Sequence, residues 1–94
     1  MNYKPDFGPK AAERLWRVHP RLGWKILDAV DVLCEKPAEL SKPFYFRHPI
    51  RYQAFETRIE DQGRVFLLTV LFHYAADETT LLIADLIVSP MGDN

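Results

Sequence analysis

The hydrophobic period of this chain changes once, near Phe44, from helical spacing to strand-like alternation. That change restricts the fold to helices first and sheet afterwards. Upstream of it, Gly8-Pro9 reads as a helix start, because proline at the first helical position needs no amide partner. Ala12, Leu15, Trp16 and His19 follow at the i, i+3, i+4, i+7 spacing of one helical face, and Pro20 stops or kinks that helix. Ile26, Leu27, Val30, Leu33 and Cys34 then form a second apolar stripe, with Lys25, Asp28, Asp31, Glu35 and Lys36 left for water and Pro37 as terminator. The spacing predicts helices over about 9–19 and 22–36, then a loop from Pro37 to Pro43.

Downstream, alternation predicts strands over about 52–60, 64–74 and 80–88. Asp61-Gln62-Gly63 and residues 75–79 supply the turns between them. Phe44-Tyr45-Phe46 reads as a short edge strand, and the lead-in around Tyr3 and Phe7 is a candidate for another. The expected fold is α+β: two N-terminal helices packed on one face of a three- to five-stranded antiparallel sheet, with residues 1–94 as a single domain.

Strand parity then asks which side of the sheet needs covering. Phe66, Leu68, Val70, Phe72 and Tyr74 share one side of the long strand; Leu82, Ala84, Leu86 and Val88 share one side of the last. These, with Phe55 and Ile59, are expected to lie under the helices. The opposite side carries Leu67, Leu71, Ile83 and Ile87, too apolar for an ordinary wet surface. Those four are the candidate partner interface, to be covered by a second copy, by a dedicated partner, or by the chain's own ends.

Charge narrows the partner classes. A net charge of −1, from 12 basic and 13 acidic side chains, disfavours a general nucleic-acid or membrane-surface binder. The single cysteine, Cys34, forms no internal disulfide, and no CxxC or Cys/His spacing points to a metal. With three scattered histidines and only four glycines, neither a metal nor a nucleotide cofactor is expected. The start of the chain has no apolar signal-peptide core, and the longest apolar run, around 65–72, is too short to cross a bilayer, so a cytoplasmic protein is expected.

No GxSxG, HExxH or Walker-type motif occurs. The one polar constellation is Arg47-His48-Pro49-Ile50-Arg51-Tyr52, with Arg58, Arg64 and His73 on the strands that follow. Arginines can stabilise charge on a phosphodiester while histidine or tyrosine moves protons, which makes Arg58, Arg64 and His73 catalytic candidates and Arg47 and Arg51 candidates for RNA contact. The plainer reading is that Arg47 and Arg51 border an edge strand and pair with Glu56 or Glu60.

Three stretches carry a resemblance to a known family. "KILDAVDVLCEKP" resembles the second helix and terminating proline of the RelE/ParE superfamily of bacterial toxins, "FETRIEDQGRVFLLTV" its central hairpin, and "ETTLLIADLIV" its last strand. The resemblance implies ribosome-dependent messenger RNA cleavage or gyrase inhibition, and an antitoxin whose extended segment wraps the toxin. By position, Arg64 matches the family's central-strand arginine, and His73-Tyr74 is similar to the pair that closes some RNA-cleaving members. Here a full strand follows that pair, its end Ile87-Val88-Ser89-Pro90 lacks a basic or aromatic terminal residue, and no first strand is recognisable. Three functions follow: a toxin component or inactive relative acting through protein–protein contact, a messenger RNA endoribonuclease, or a non-enzymatic homodimeric module.

Overall fold

Each of the three described helices opens with a proline. The computed structural model describes residues 2–44 and 51–91, and in it α1 (Pro9–Arg17) and α2 (Pro20–Glu35) both begin with proline in the first turn. Pro20 is therefore a starter as well as a stop, and the second helix begins two residues earlier than expected. Its N-cap is His19, whose Nδ1 accepts the Arg21 N–H at 3.1 Å. Gly8 caps α1 and donates its N–H to the Ile83 carbonyl at 2.9 Å. A Cβ at position 8 would meet that same oxygen at 3.2 Å, so glycine suits the close approach of the helix start to the sheet.

Leu22, Ile26, Val30, Leu33 and Cys34 form the buried face of α2, much as the spacing predicted. The face of α1 is rotated from the expected one. Ala11 is buried, Leu15 and Val18 pack against the core, and Trp16 points outward, 86% exposed. The expected loop after Pro37 begins instead with a one-turn helix, α3 (Pro37–Leu40), closed by the Ser41 hydroxyl donating to the Pro37 carbonyl at 2.7 Å.

Five strands form one sheet: β1 (Lys4–Phe7), β2 (Lys42–Phe44), β3 (Tyr52–Asp61), β4 (Arg64–Tyr74) and β5 (Thr80–Pro90). Their spatial order is β1-β5-β4-β3-β2. The lead-in is thus a true first strand, and it pairs parallel to β5 while every other pair is antiparallel. Tyr45 and Phe46, expected to continue the edge strand, lie outside the described residues. Gln62 and Gly63 both have positive φ, 50° and 77°, the backbone of a two-residue type I′ hairpin turn between the paired Asp61 and Arg64. At the next turn the Asp77 carboxylate accepts the Thr79 and Thr80 N–H groups at 2.9 and 3.1 Å.

The β4–β5 pairing slips by one residue. Leu71 faces Asp85 while Phe72 faces Ile83, so Ala84 is the extra residue of a β-bulge. The Asp85 carboxylate reaches Lys10 at 3.2 Å and Arg14 at 2.7 Å, both on α1, and accepts the Leu86 N–H at 2.8 Å. Asp85 and Leu86 therefore both turn toward the helices, and parity inverts upstream of them. Ile83, expected on the open face, is fully buried with Leu81 in the core; Leu82 and Ala84, expected in the core, are only half-buried. Strict alternation fails there because one acid is drawn inward by two cations on α1.

The core lies between the helices and the inner face of the sheet. Leu68, Val70 and Phe72 of β4 pack with Phe55 and Ile59 of β3, Leu81, Ile83 and Leu86 of β5, and the buried stripe of α2; Tyr3 and Phe7 close one end. Each large side chain buried in this way contributes about 1.5–3 kcal/mol.

Candidate functional site: the open face of the sheet

Cross-strand neighbours share a face, so the register defines the surface away from the helices row by row. One row is Arg58, Leu67 and Ser89; the next is Glu56, Thr69 and Ile87. Ala54 and Leu71 form a third, and past the bulge Tyr52, on the strand that pairs Gln53 with Phe72, stands beside His73 and Leu82. The centre of this face is apolar, with Leu67 and Ala84 half-buried, Leu71 buried and Ile87 38% exposed. Glu56, Arg58 and Glu60 border it along β3, and Lys4 and Asp6 along β1. Both signs of charge flank the apolar centre.

Of the four interface candidates, Leu67, Leu71 and Ile87 lie on this face, and Ile83 belongs to the core. The catalytic candidates do not converge. Arg58 and His73 share the open face but stand three rows apart, roughly 20 Å at about 3.4 Å per residue. Arg64 is exposed at the hairpin end of β4, where its parity matches Phe66 and Leu68 on the helix side. Arg51 is exposed just before β3, and Arg47 lies outside the described residues.

His73 is half-buried and meets the Tyr52 ring edge-on, with centroids 5.6 Å apart and planes at 83°. Such a pair places an imidazole and a phenol on one surface, both able to exchange protons. Among the described residues, His, Cys, Asp and Glu form no group of three that could hold a metal ion. Burial, followed by the Asp31 charge, pushes the Cys34 thiol up, so it is not a ready nucleophile.

Two features escaped the reading of the sequence. The Lys10–Asp85–Arg14 cluster joins residues far apart in the chain, and only the bulge brings them together. The exposed Trp16 and Trp24 were hidden by the rotation of α1, although the Pro20 between them marks the break at which a helical face must be reset.

No protein-family model matches the chain, and no curated protein matches it by sequence. No helix among the described residues is long and apolar enough to cross a membrane. A chain of the toxin–antitoxin complex RelBE2 from Mycobacterium tuberculosis is similar in structure, with a TM-score of 0.66 at 20% identity, covering 97% of this chain and 100% of that one. Over almost its whole length the chain shares the fold of that chain.

Proposed function

We propose that the chain acts through protein–protein contact as the toxin-like component of a toxin–antitoxin pair, with an antitoxin segment laid on the open face of its sheet. The observation that carries this reading is the apolar strip of Leu67, Leu71 and Ile87, bordered by charge and lying on the side away from the chain's own helices. Likeness to a chain of a toxin–antitoxin complex supports the same partner class. An apolar centre with a rim of both signs suits a peptide carrying alternate apolar and charged side chains, and balanced charge suits it better than a phosphate backbone would.

The test is growth of a bacterium carrying the gene under an inducible promoter, with and without the neighbouring short reading frame. Arrest without the neighbour and recovery with it are expected. Leu67→Asp with Ile87→Asp should abolish recovery by blocking the partner while the fold persists by circular dichroism. Recovery that survives this double change overturns the assignment of the face.

A second reading, ribosome-dependent cleavage of messenger RNA, draws on the Tyr52–His73 pair lying on the same face as Arg58. Arg58→Ala and His73→Ala discriminate between the two. Under the contact reading each leaves growth arrest intact; under the nuclease reading each abolishes it, by a loss of about 10²–10⁴-fold in cleavage rate for the proton-transfer group.

A further inference from the structure

Both edge strands of the sheet are blunted by proline. In β1 the N–H groups of Lys4 and Gly8 donate to the Thr79 and Ile83 carbonyls, each at 2.9 Å. Position 5 therefore turns its backbone to the free edge, and it is proline. The Tyr3 N–H, which faces the same way, is taken by the Cys34 carbonyl of α2 at 2.9 Å. In β2 the Pro43–Gln53 pair lies between two others, and a proline with no N–H to give β3 takes the outward position. Each edge strand thus lacks a donor where an added strand would need one.

One stretch of edge is built differently. β1 covers only residues 80–83 of β5. Beyond the bulge the Met91 N–H donates to the Val65 carbonyl at 3.0 Å, so Leu67–Ser89 and Thr69–Ile87 are hydrogen-bonded pairs. Leu86 and Val88, between them, turn their backbone groups away from β4. The Leu86 N–H is closed by the Asp85 carboxylate at 2.8 Å. The Val88 N–H and the carbonyls of Leu86 and Val88 have no partner among the described residues. Beside them a groove of about 330 Å³ lies between α1 and β5, lined in part by Leu15, Val18, Ile26, Leu86 and Val88. Its cations are already paired, Lys10 and Arg14 with Asp85 and Arg17 with Glu13. Backbone and shape, not net charge, define what fits.

We infer that residues 86–90 of β5 take an extended segment of the antitoxin-like partner as a further strand, an assignment of the partner that rests on the reading above. A helix satisfies its own backbone and has no use for this edge, whereas a strand answers one donor and two acceptors at ladder spacing. Its alternate side chains would point to the two sides of the sheet. One set enters the groove against Val18 and Ile26, and the other lies beside Ile87 at the border of the apolar strip. The open face and the groove are thus neighbours along β5, and one apolar-alternating segment serves both.

Amide hydrogen exchange of the full chain, alone and with the product of the neighbouring reading frame, provides the test. Alone, the Val88 amide should exchange at least about tenfold faster than those of Ile87 and Ser89, which bond to β4. With the product bound it should slow by about a hundredfold or more. Val88→Pro, which leaves the β4 ladder intact, should weaken the complex by about tenfold or more. A product that does not bind overturns the toxin–antitoxin reading and this site with it. A complex that leaves the Val88 amide unprotected, yet is broken by Leu67→Asp with Ile87→Asp, overturns the added strand alone. So does protection that grows with the chain's own concentration and needs no product, because a second copy then holds the edge.

Discussion

The two faces of the sheet are made by the same strands and differ mainly in what lies across from them. On the inner side of β4, Leu68, Val70 and Phe72 are fully buried beneath the helices. On the outer side Leu67 and Thr69 are half-buried, and Ile87 of β5 keeps 38% of its surface exposed. Residue type hardly separates the two sets, because leucine, isoleucine and valine occur on both. Apolar composition in a strand therefore says that a face prefers cover, while the helices decide which face receives it within this chain. The surplus on the outer face is the physical reason to look for a partner.

The sharpest way to break this comparison is to cut one large side chain from each side. Phe72→Ala should cost about 3–5 kcal/mol, because a fully buried ring leaves a cavity that its neighbours cannot fill. Leu67→Ala should cost less than about 1 kcal/mol in the free chain. Urea titration of the two variants decides the matter: comparable losses would mean that the outer face is also sealed in the isolated protein.

A second pair tests the bulge. Ile83→Ala should cost about 2–5 kcal/mol as a core cavity, and Ile87→Ala less than about 1 kcal/mol as a half-exposed residue. Simple alternation puts residues 83 and 87 on one side and predicts equal effects. Unequal losses would place the slip between them, where Asp85 turns inward.

That slip also marks how far the sequence could be read. The change of period near Phe44, the α2 stripe and the β3–β4 hairpin were legible because local spacing and turn chemistry dictate them. On β3 and β4 parity gave the right faces, since their register holds unbroken from Asp61–Arg64 to Gln53–Phe72. Parity failed on β5 because a bulge is decided by a tertiary ion cluster, Asp85 with Lys10 and Arg14, which no local pattern carries. The parallel strand β1 was faint for a related reason. Four residues, KPDF, hold their place through pairing with Lys4↔Thr80 to Phe7↔Ile83, and parallel pairing leaves no hairpin signal. For the candidate site, Leu67, Leu71 and Ile87 followed from parity, whereas convergence of Arg58, Arg64 and His73 required distances that spacing along a strand does not supply.

Leu71 refines the comparison further. It belongs to the outer face by register yet is only 7% exposed, and it lies outside the core cluster. Its register partners are Ala54 of β3 and Asp85 of β5. Leu71→Ala should therefore cost about 1–2 kcal/mol, between the inner and outer sets, because those neighbours can relax around a smaller residue. A loss as large as that of Phe72→Ala would show that the outer face has a packed layer of its own.

The smallest expected effect concerns how α2 is tied to the inner side of the sheet. Arg21 Nε donates to Asp61 at 2.7 Å, and Lys25 donates to the Glu60 carbonyl, so the first turns of α2 are fastened to the β3–β4 turn. The Arg21 hydrogen bond is the main cause that holds the Asp61 carboxyl below the usual aspartate range, with the charges of Arg21, Lys25 and His19 adding to it against the opposing effect of burial. A carboxylate with a depressed folded pKa stabilises the fold above its unfolded value, and that stabilisation is lost as pH falls through the folded value. Below about pH 4 the wild-type melting midpoint should therefore drop, and Asp61→Asn should drop less steeply while melting lower near neutral pH. Asp77, held low chiefly by the Thr79 backbone N–H, keeps part of the acid sensitivity in that variant. Only the difference between the two curves measures the tie. Parallel curves from pH 7 to pH 2 would mean that α2 is held to the sheet by its apolar face alone.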